Sequence, residues 1–149
     1  MKYFRFIPYL FLILFFQIVQ LSLNVLFMSF EFNLFLFLIV LVLLGTLSNP
    51  EKFLLPVFLT GIFYDIFFST FNLGIYSTKY ILILLIMSYA TELDYKNIYQ
   101  KFFIFSTCFI IYNFINLFEF KTTFFTMGIL ISFLTSFLIF ISIEKFIKR

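Results

Sequence analysis

Long uninterrupted apolar runs, joined by only a few polar residues each, leave this chain one medium in which to fold. Of its 149 residues, 64% are hydrophobic and 11% charged, against the roughly 25% charged residues of an average soluble domain. So few polar groups cannot cover a water-facing surface, and the chain reads as a membrane protein. A membrane-spanning helix needs about 20 apolar residues. Six crossings therefore take up about 120 positions of the 149 and leave roughly 29 for tails and joints, too few for a soluble domain. The runs are continuous rather than alternating, which excludes a membrane β-barrel.

The runs place six helical spans at residues 6–30, 33–47, 50–68, 73–90, 102–118 and 123–143, within a single domain covering 1–149. The expected fold class is all-α: a polytopic integral membrane protein, a compact bundle of six transmembrane helices with cytoplasmic N- and C-termini. The first run follows Lys2 and Arg5 and so begins like a signal peptide. It is too long for an h-region and has no small-residue cleavage site, so it is expected to be retained. The short second run is expected to sit between tight turns, facing lipid or another apolar helix. Ser48-Asn49-Pro50-Glu51 reads as a helix start, with a capping side chain, proline at the first position and an acid at the positive end of the dipole. Residues 69–72 form a short turn, and residues 91–101 read as the one plainly aqueous stretch.

Orientation follows from the basic residues, which stay on the cytoplasmic side. With six spans, Lys2, Arg5, Lys52, Lys96, Lys101, Lys145, Lys148 and Arg149 share one side, against Lys121 alone on the other and Lys79 within a span. Tyr3, Tyr89, Tyr95 and Tyr99 suit an aromatic belt at that inner surface in a chain without tryptophan. The scattered basic residues do not point to nucleic acid. No histidine and a single cysteine, Cys108, rule out a zinc site, a haem or iron–sulfur ligand set and a disulfide framework within the chain, and no cofactor is expected.

Polar groups inside the spans are the functional candidates, because an ionisable side chain in hydrocarbon is costly unless paired or used. Asp65 and Lys79 lie near the outer ends of two spans joined by a short turn, which makes those spans antiparallel neighbours. An intramembrane ion pair between them is expected, as a lock on the hairpin. A face turned to a partner or substrate is the second role open to them. A proton relay is the third, although no further acids or histidines continue it. Gln17, Gln20 and Asn24 form one stripe on the first helix, Ser106, Asn113 and Asn116 another on the fifth, and Gly128, Ser132 and Ser136 a small-residue ladder on the sixth. These stripes read as helix contacts inside the bundle. Gly61 and Asp65 lie one turn apart on one face, where the missing side chain opens room for a neighbouring helix. Gly74 suits a positive φ at the turn or a close helix contact.

The segment from Gly61 to Thr78, GIFYDIFFSTFNLGIYST, resembles the signature of the MreD family of rod-shape-determining proteins. In that signature a glycine, an aspartate four residues later and a Leu-Gly pair after a short turn join two membrane helices. Gly61, Asp65, Leu73 and Gly74 match it. Lys79 departs from it, since an uncharged residue is expected there. The resemblance implies a non-enzymatic scaffold in the bacterial cytoplasmic membrane, part of the elongation machinery for lateral cell-wall synthesis and rod shape. The partners it implies are an MreC-like protein, MreB, RodA and a penicillin-binding protein, beside membrane lipids. The alternative is the substrate-binding subunit of an energy-coupling-factor vitamin transporter, which would need a pocket with converging polar groups.

Overall fold

A computed structural model of the chain describes residues 6–27, 34–47, 50–68, 73–93, 97–119 and 127–147. These contain six α-helices and no strand: α1 (Phe6–Phe27), α2 (Leu36–Gly45), α3 (Glu51–Phe68), α4 (Ile75–Glu92), α5 (Ile98–Glu119) and α6 (Met127–Ile147). Each apolar run has become one helix. The expected cap at Ser48 and Asn49, the turn at residues 69–72, the tail residues Lys2, Tyr3, Arg5, Lys148 and Arg149, Asp94, Tyr95, Lys96, Lys121 and the side chain of Asn116 lie outside the described residues. Two helices are long and apolar enough to cross a membrane, over Phe6–Leu26 and Gly128–Phe146. α3 carries Glu51, Lys52 and Asp65 within its 18 residues, and α2 has only 10 residues, about 15 Å of helix.

Side-chain contacts set the direction of every helix. Tyr9 and Phe53, near the starts of α1 and α3, meet edge to face at 5.1 Å between centroids, so these two helices are parallel. Gln20, late in α1, reaches the first turn of α2. The last residue of α2, Gly45, abuts Met87 near the end of α4. Lys79, early in α4, reaches Tyr112, late in α5, and Lys101 at the start of α5 pairs with Glu144 at the end of α6 at 2.8 Å. Consecutive helices therefore alternate in direction. The starts of α1, α3 and α5 share one end of the bundle with the ends of α2, α4 and α6, and Lys52, Lys101 and Lys145 all lie at that end.

α4 is the hub, packed against α2, α3 and α5. Two glycines let neighbours approach it closely. A Cβ on Gly61 would stand 2.2 Å from Ser77 Cα and 2.6 Å from Ser77 N, and a Cβ on Gly45 would stand 2.4 Å from Met87 Cβ. α2, with seven of its ten residues buried, forms the interior of the bundle and faces helices rather than lipid. α5 and α6 are held apart by rings instead: Phe102 and Phe137 at 5.3 Å, Phe109 and Phe133 at 5.0 Å, Phe105 and Phe140 at 5.4 Å. Such pairs each add about 0.5–1.5 kcal/mol beyond their buried area.

Gly61→Ala tests the closest of these approaches. Its methyl group would meet α4 backbone, which cannot turn aside, so α3 and α4 must separate. A loss of about 1–3 kcal/mol is expected for this overpacking, read as a lower thermal midpoint of the purified protein in detergent.

Candidate functional site

The start of α4 has no capping side chain of its own. Gly74 occupies the N-cap position with φ 101° and ψ −10°, a left-handed conformation that glycine adopts without cost. A Cβ at Gly74 would meet nothing within 4 Å, so the glycine is needed for its backbone and not for space. The first N–H groups of a helix have no partner within it. Here they are met from the preceding helix by Asp65. Its Oδ2 accepts from Gly74 N at 3.0 Å, Ser77 N at 3.4 Å and the Ser77 hydroxyl at 3.3 Å, and its Oδ1 accepts from Tyr76 N at 3.1 Å. Only 4% of Asp65 is exposed. A carboxylate on the positive end of a helix dipole is favourable on charge as well as on hydrogen bonding. Gly61 makes the reach possible, because it lets Ser77 settle against α3 one turn below the carboxylate.

Three of the four residues that carry the family resemblance thus form one device: Gly61 sets the approach, Asp65 caps and Gly74 turns. Leu73 takes no part in these hydrogen bonds. It is 71% exposed and lines, with Gly74, Ile75, Thr78, Lys79, Leu82 and Ile111, a largely apolar groove of about 550 Å³ beside α4.

Lys79 turns the other way. Its Nζ donates to the Tyr112 carbonyl at 2.9 Å and sits 3.7 Å from the centroid of Tyr76, 4.8 Å from that of Tyr112 and 5.6 Å from that of Tyr80. Ring faces attract a cation, more strongly when it is desolvated. Among the described residues no ion pair joins Asp65 to Lys79, so the expected pair is replaced by two separate ties: Asp65 fastens α3 to α4, and Lys79 fastens α4 to α5. The rings form a continuous layer, with Tyr64 and Tyr76 at 4.4 Å and Tyr80 and Tyr112 stacked at 6.1 Å. Gln17 donates from Nε2 to the Tyr80 hydroxyl at 3.1 Å, which adds α1 to the layer.

The remaining polar stripes divide. Gln20 Oε1 accepts from Phe37 N at 3.0 Å, and the Ser136 hydroxyl accepts from Phe35 N at 3.3 Å. Together they cap α2, which also lacks a side-chain cap of its own. Ser132 and Asn113 are buried and bond within their helices to Gly128 O and Phe109 O. Ser106 does the same to Phe102 O at the surface, and Asn24 accepts from Gln20. Two features escape the sequence reading. Glu144, 2% exposed, is the buried half of the bridge to Lys101. Asn97 caps α5 through Tyr99 N at 3.2 Å while Gln100 Oε1 accepts from Asn97 N at 3.4 Å. The second had a legible signal, the Asn-x-x-Gln spacing of a reciprocal capping box. Among the described residues, no cluster of three or more His, Cys, Asp or Glu side chains gathers to hold a metal ion.

Two substitutions separate these ties. Asp65→Asn keeps one oxygen acceptor but turns an amide toward backbone N–H groups, whereas Asp65→Ala leaves all the donors unmet at about 1–3 kcal/mol each. Alanine is therefore expected to lower the thermal midpoint more than asparagine. The double exchange Asp65→Lys with Lys79→Asp is expected to restore nothing over the single variants, because the two groups have different partners. Compared with family models, with curated proteins and with solved structures, the chain returns no match.

Proposed function

We propose that this chain is a non-enzymatic membrane scaffold of the MreD type, acting in the bacterial cytoplasmic membrane as part of the machinery for lateral cell-wall synthesis and rod shape. The observation that carries the reading is the α3–α4 hairpin. Gly61, Asp65 and Gly74, three of the residues on which the resemblance rests, cooperate in fastening the first turn of α4 to α3. In this reading all six helices lie across the membrane, α2 crossing together with the residues that flank it. The end of the bundle bearing Lys52, Lys101 and Lys145 faces the cytoplasm, as the bias of basic residues requires.

The scaffold works by binding. Asp65 is consumed by the start of α4 and is too buried to serve as a surface ligand. What the outer end of the hairpin offers a partner is the apolar surface around it: Ile66, Phe67, Phe68 and Leu73 are all more than half exposed. A membrane helix of an MreC-like partner fits such a surface, and through it MreB, RodA and the penicillin-binding protein would be engaged.

Depleting the protein in its rod-forming host is expected to convert rods to spheres, scored by microscopy as the ratio of cell length to width. Unchanged shape after depletion would sink the proposal. Asp65→Ala is expected to reproduce the rounding together with a fall in the amount of protein in the membrane fraction, since the hairpin is held by that side chain.

A further inference from the structure

Four of the helices close a ring. α1 packs on α3, α3 on α4, α4 on α2 and α2 on α1, which leaves α1 and α4 across the middle from each other. Long side chains span that distance: Gln17, midway along α1, donates from Nε2 to the Tyr80 hydroxyl at 3.1 Å. Both are sealed from the surface, with 2% of Gln17 and 1% of Tyr80 exposed. Ile13, one turn before Gln17, and Phe37, whose ring meets that of Tyr80 at 4.9 Å, are fully buried as well. Among the described residues, Gln17 Oε1 is a buried side-chain atom with no hydrogen-bond partner. Turning the amide over moves the deficit without removing it. Oε1 would then accept from the Tyr80 hydroxyl, and Nε2 with its two N–H groups would be left over instead. Buried polar groups are as a rule paired, and an unmet one is costly.

We propose that a water molecule is bound inside this ring of four helices, donating to Gln17 Oε1 and accepting from the Tyr80 hydroxyl. A phenol hydroxyl donates and accepts at once. With Gln17 Nε2 donating to that same hydroxyl, the amide, the phenol and the water close a loop of hydrogen bonds in which each polarises the next. The chemistry selects the occupant. It must donate to a neutral carbonyl oxygen, which an anion cannot do, and it has too few oxygen atoms around it for a metal cation, which takes four or more ligands. It must also be small enough to lie between packed helices. Water meets these demands, and ordered water is a regular means of satisfying polar groups inside a bundle. The site makes Gln17 and Tyr80 a wet tie across the ring, on the tyrosine layer that Lys79 continues to α5. It rests on the packing of the four helices and stands apart from the partner proposed above.

The full-length, isotope-labelled protein is reconstituted into lipid bilayers, and magnetisation transfer from water to its side-chain amides is followed by solid-state NMR. Asn113 is the control, because its buried amide donates to Phe109 O at 3.0 Å within α5. Transfer to Gln17 is expected to be at least about twofold greater than to Asn113, and to fall to the Asn113 level in Tyr80→Phe, which removes one of the two anchors of the water. Gln17→Leu is expected to lower the thermal midpoint, because it strands the water and the Tyr80 hydroxyl together. Transfer to Gln17 no greater than to Asn113 in the parent protein overturns the proposal, whether or not Tyr80→Phe assembles. Transfer that stays as high in an assembled Tyr80→Phe overturns the placement at Tyr80 and the proposal with it. A Gln17→Leu midpoint at or above that of the parent also overturns it, since only the loss of a dry, unmet acceptor would offset the lost bond to Tyr80.

Discussion

A helix that starts inside an apolar bundle has backbone N–H groups and no water to meet them, and the rest of this structure is arranged around that constraint. Buried away from water, each unmet group costs about 1–3 kcal/mol. α2 and α4 both begin without a capping side chain of their own. Their donors are met from other helices, by Gln20 and Ser136 for α2 and by Asp65 for α4. Each borrowed cap is also a tertiary contact, so satisfying the backbone and assembling the bundle are one event. α5 starts at the polar end, where Asn97 and Gln100 suffice locally.

Around these ties the chain packs in two ways. Where α4 meets α3 and α2, glycine brings the helices into contact along their backbones, the usual device of membrane helices. Where α5 meets α6, phenylalanine rings fill a wider gap. With 29 phenylalanines and four glycines, close approach is confined to a few places, and three of the four glycines serve α4: Gly45 and Gly61 by close approach and Gly74 at its N-cap. The glycines therefore mark the hub of the fold.

The number and order of the helices were legible because each needs a long apolar run and each joint needs polar residues. Gly61, Asp65 and Gly74 were legible as a group because their spacing places them on one helix face and at one turn. The partner of Asp65 was not. Two opposite charges at similar depth invite pairing, but depth says nothing of azimuth: Lys79 projects from the side of α4 that meets α5, while Asp65 faces backbone donors that carry no signal in a sequence. Gln20 was hidden for the same reason, since it meets an N–H group 17 residues away that any residue would supply. Glu144 was masked by the basic tail in which it sits. The start of α5 was open to reading, but the charges around it argued for a loop.

The hairpin cap has a mechanical consequence. Sliding or tilting α3 against the start of α4 would break several bonds to one buried carboxylate and drive Gly61 into the backbone of Ser77. Both carry steep penalties, so α3 and the first turn of α4 are held in register and act as one lever. α4, the arm of that lever, is tied through Lys79 to α5 and pressed by Gly45 of α2 at its far end. A displacement at the start of α4 is carried along the helix to its other end, where Gly45 of α2 lies against Met87.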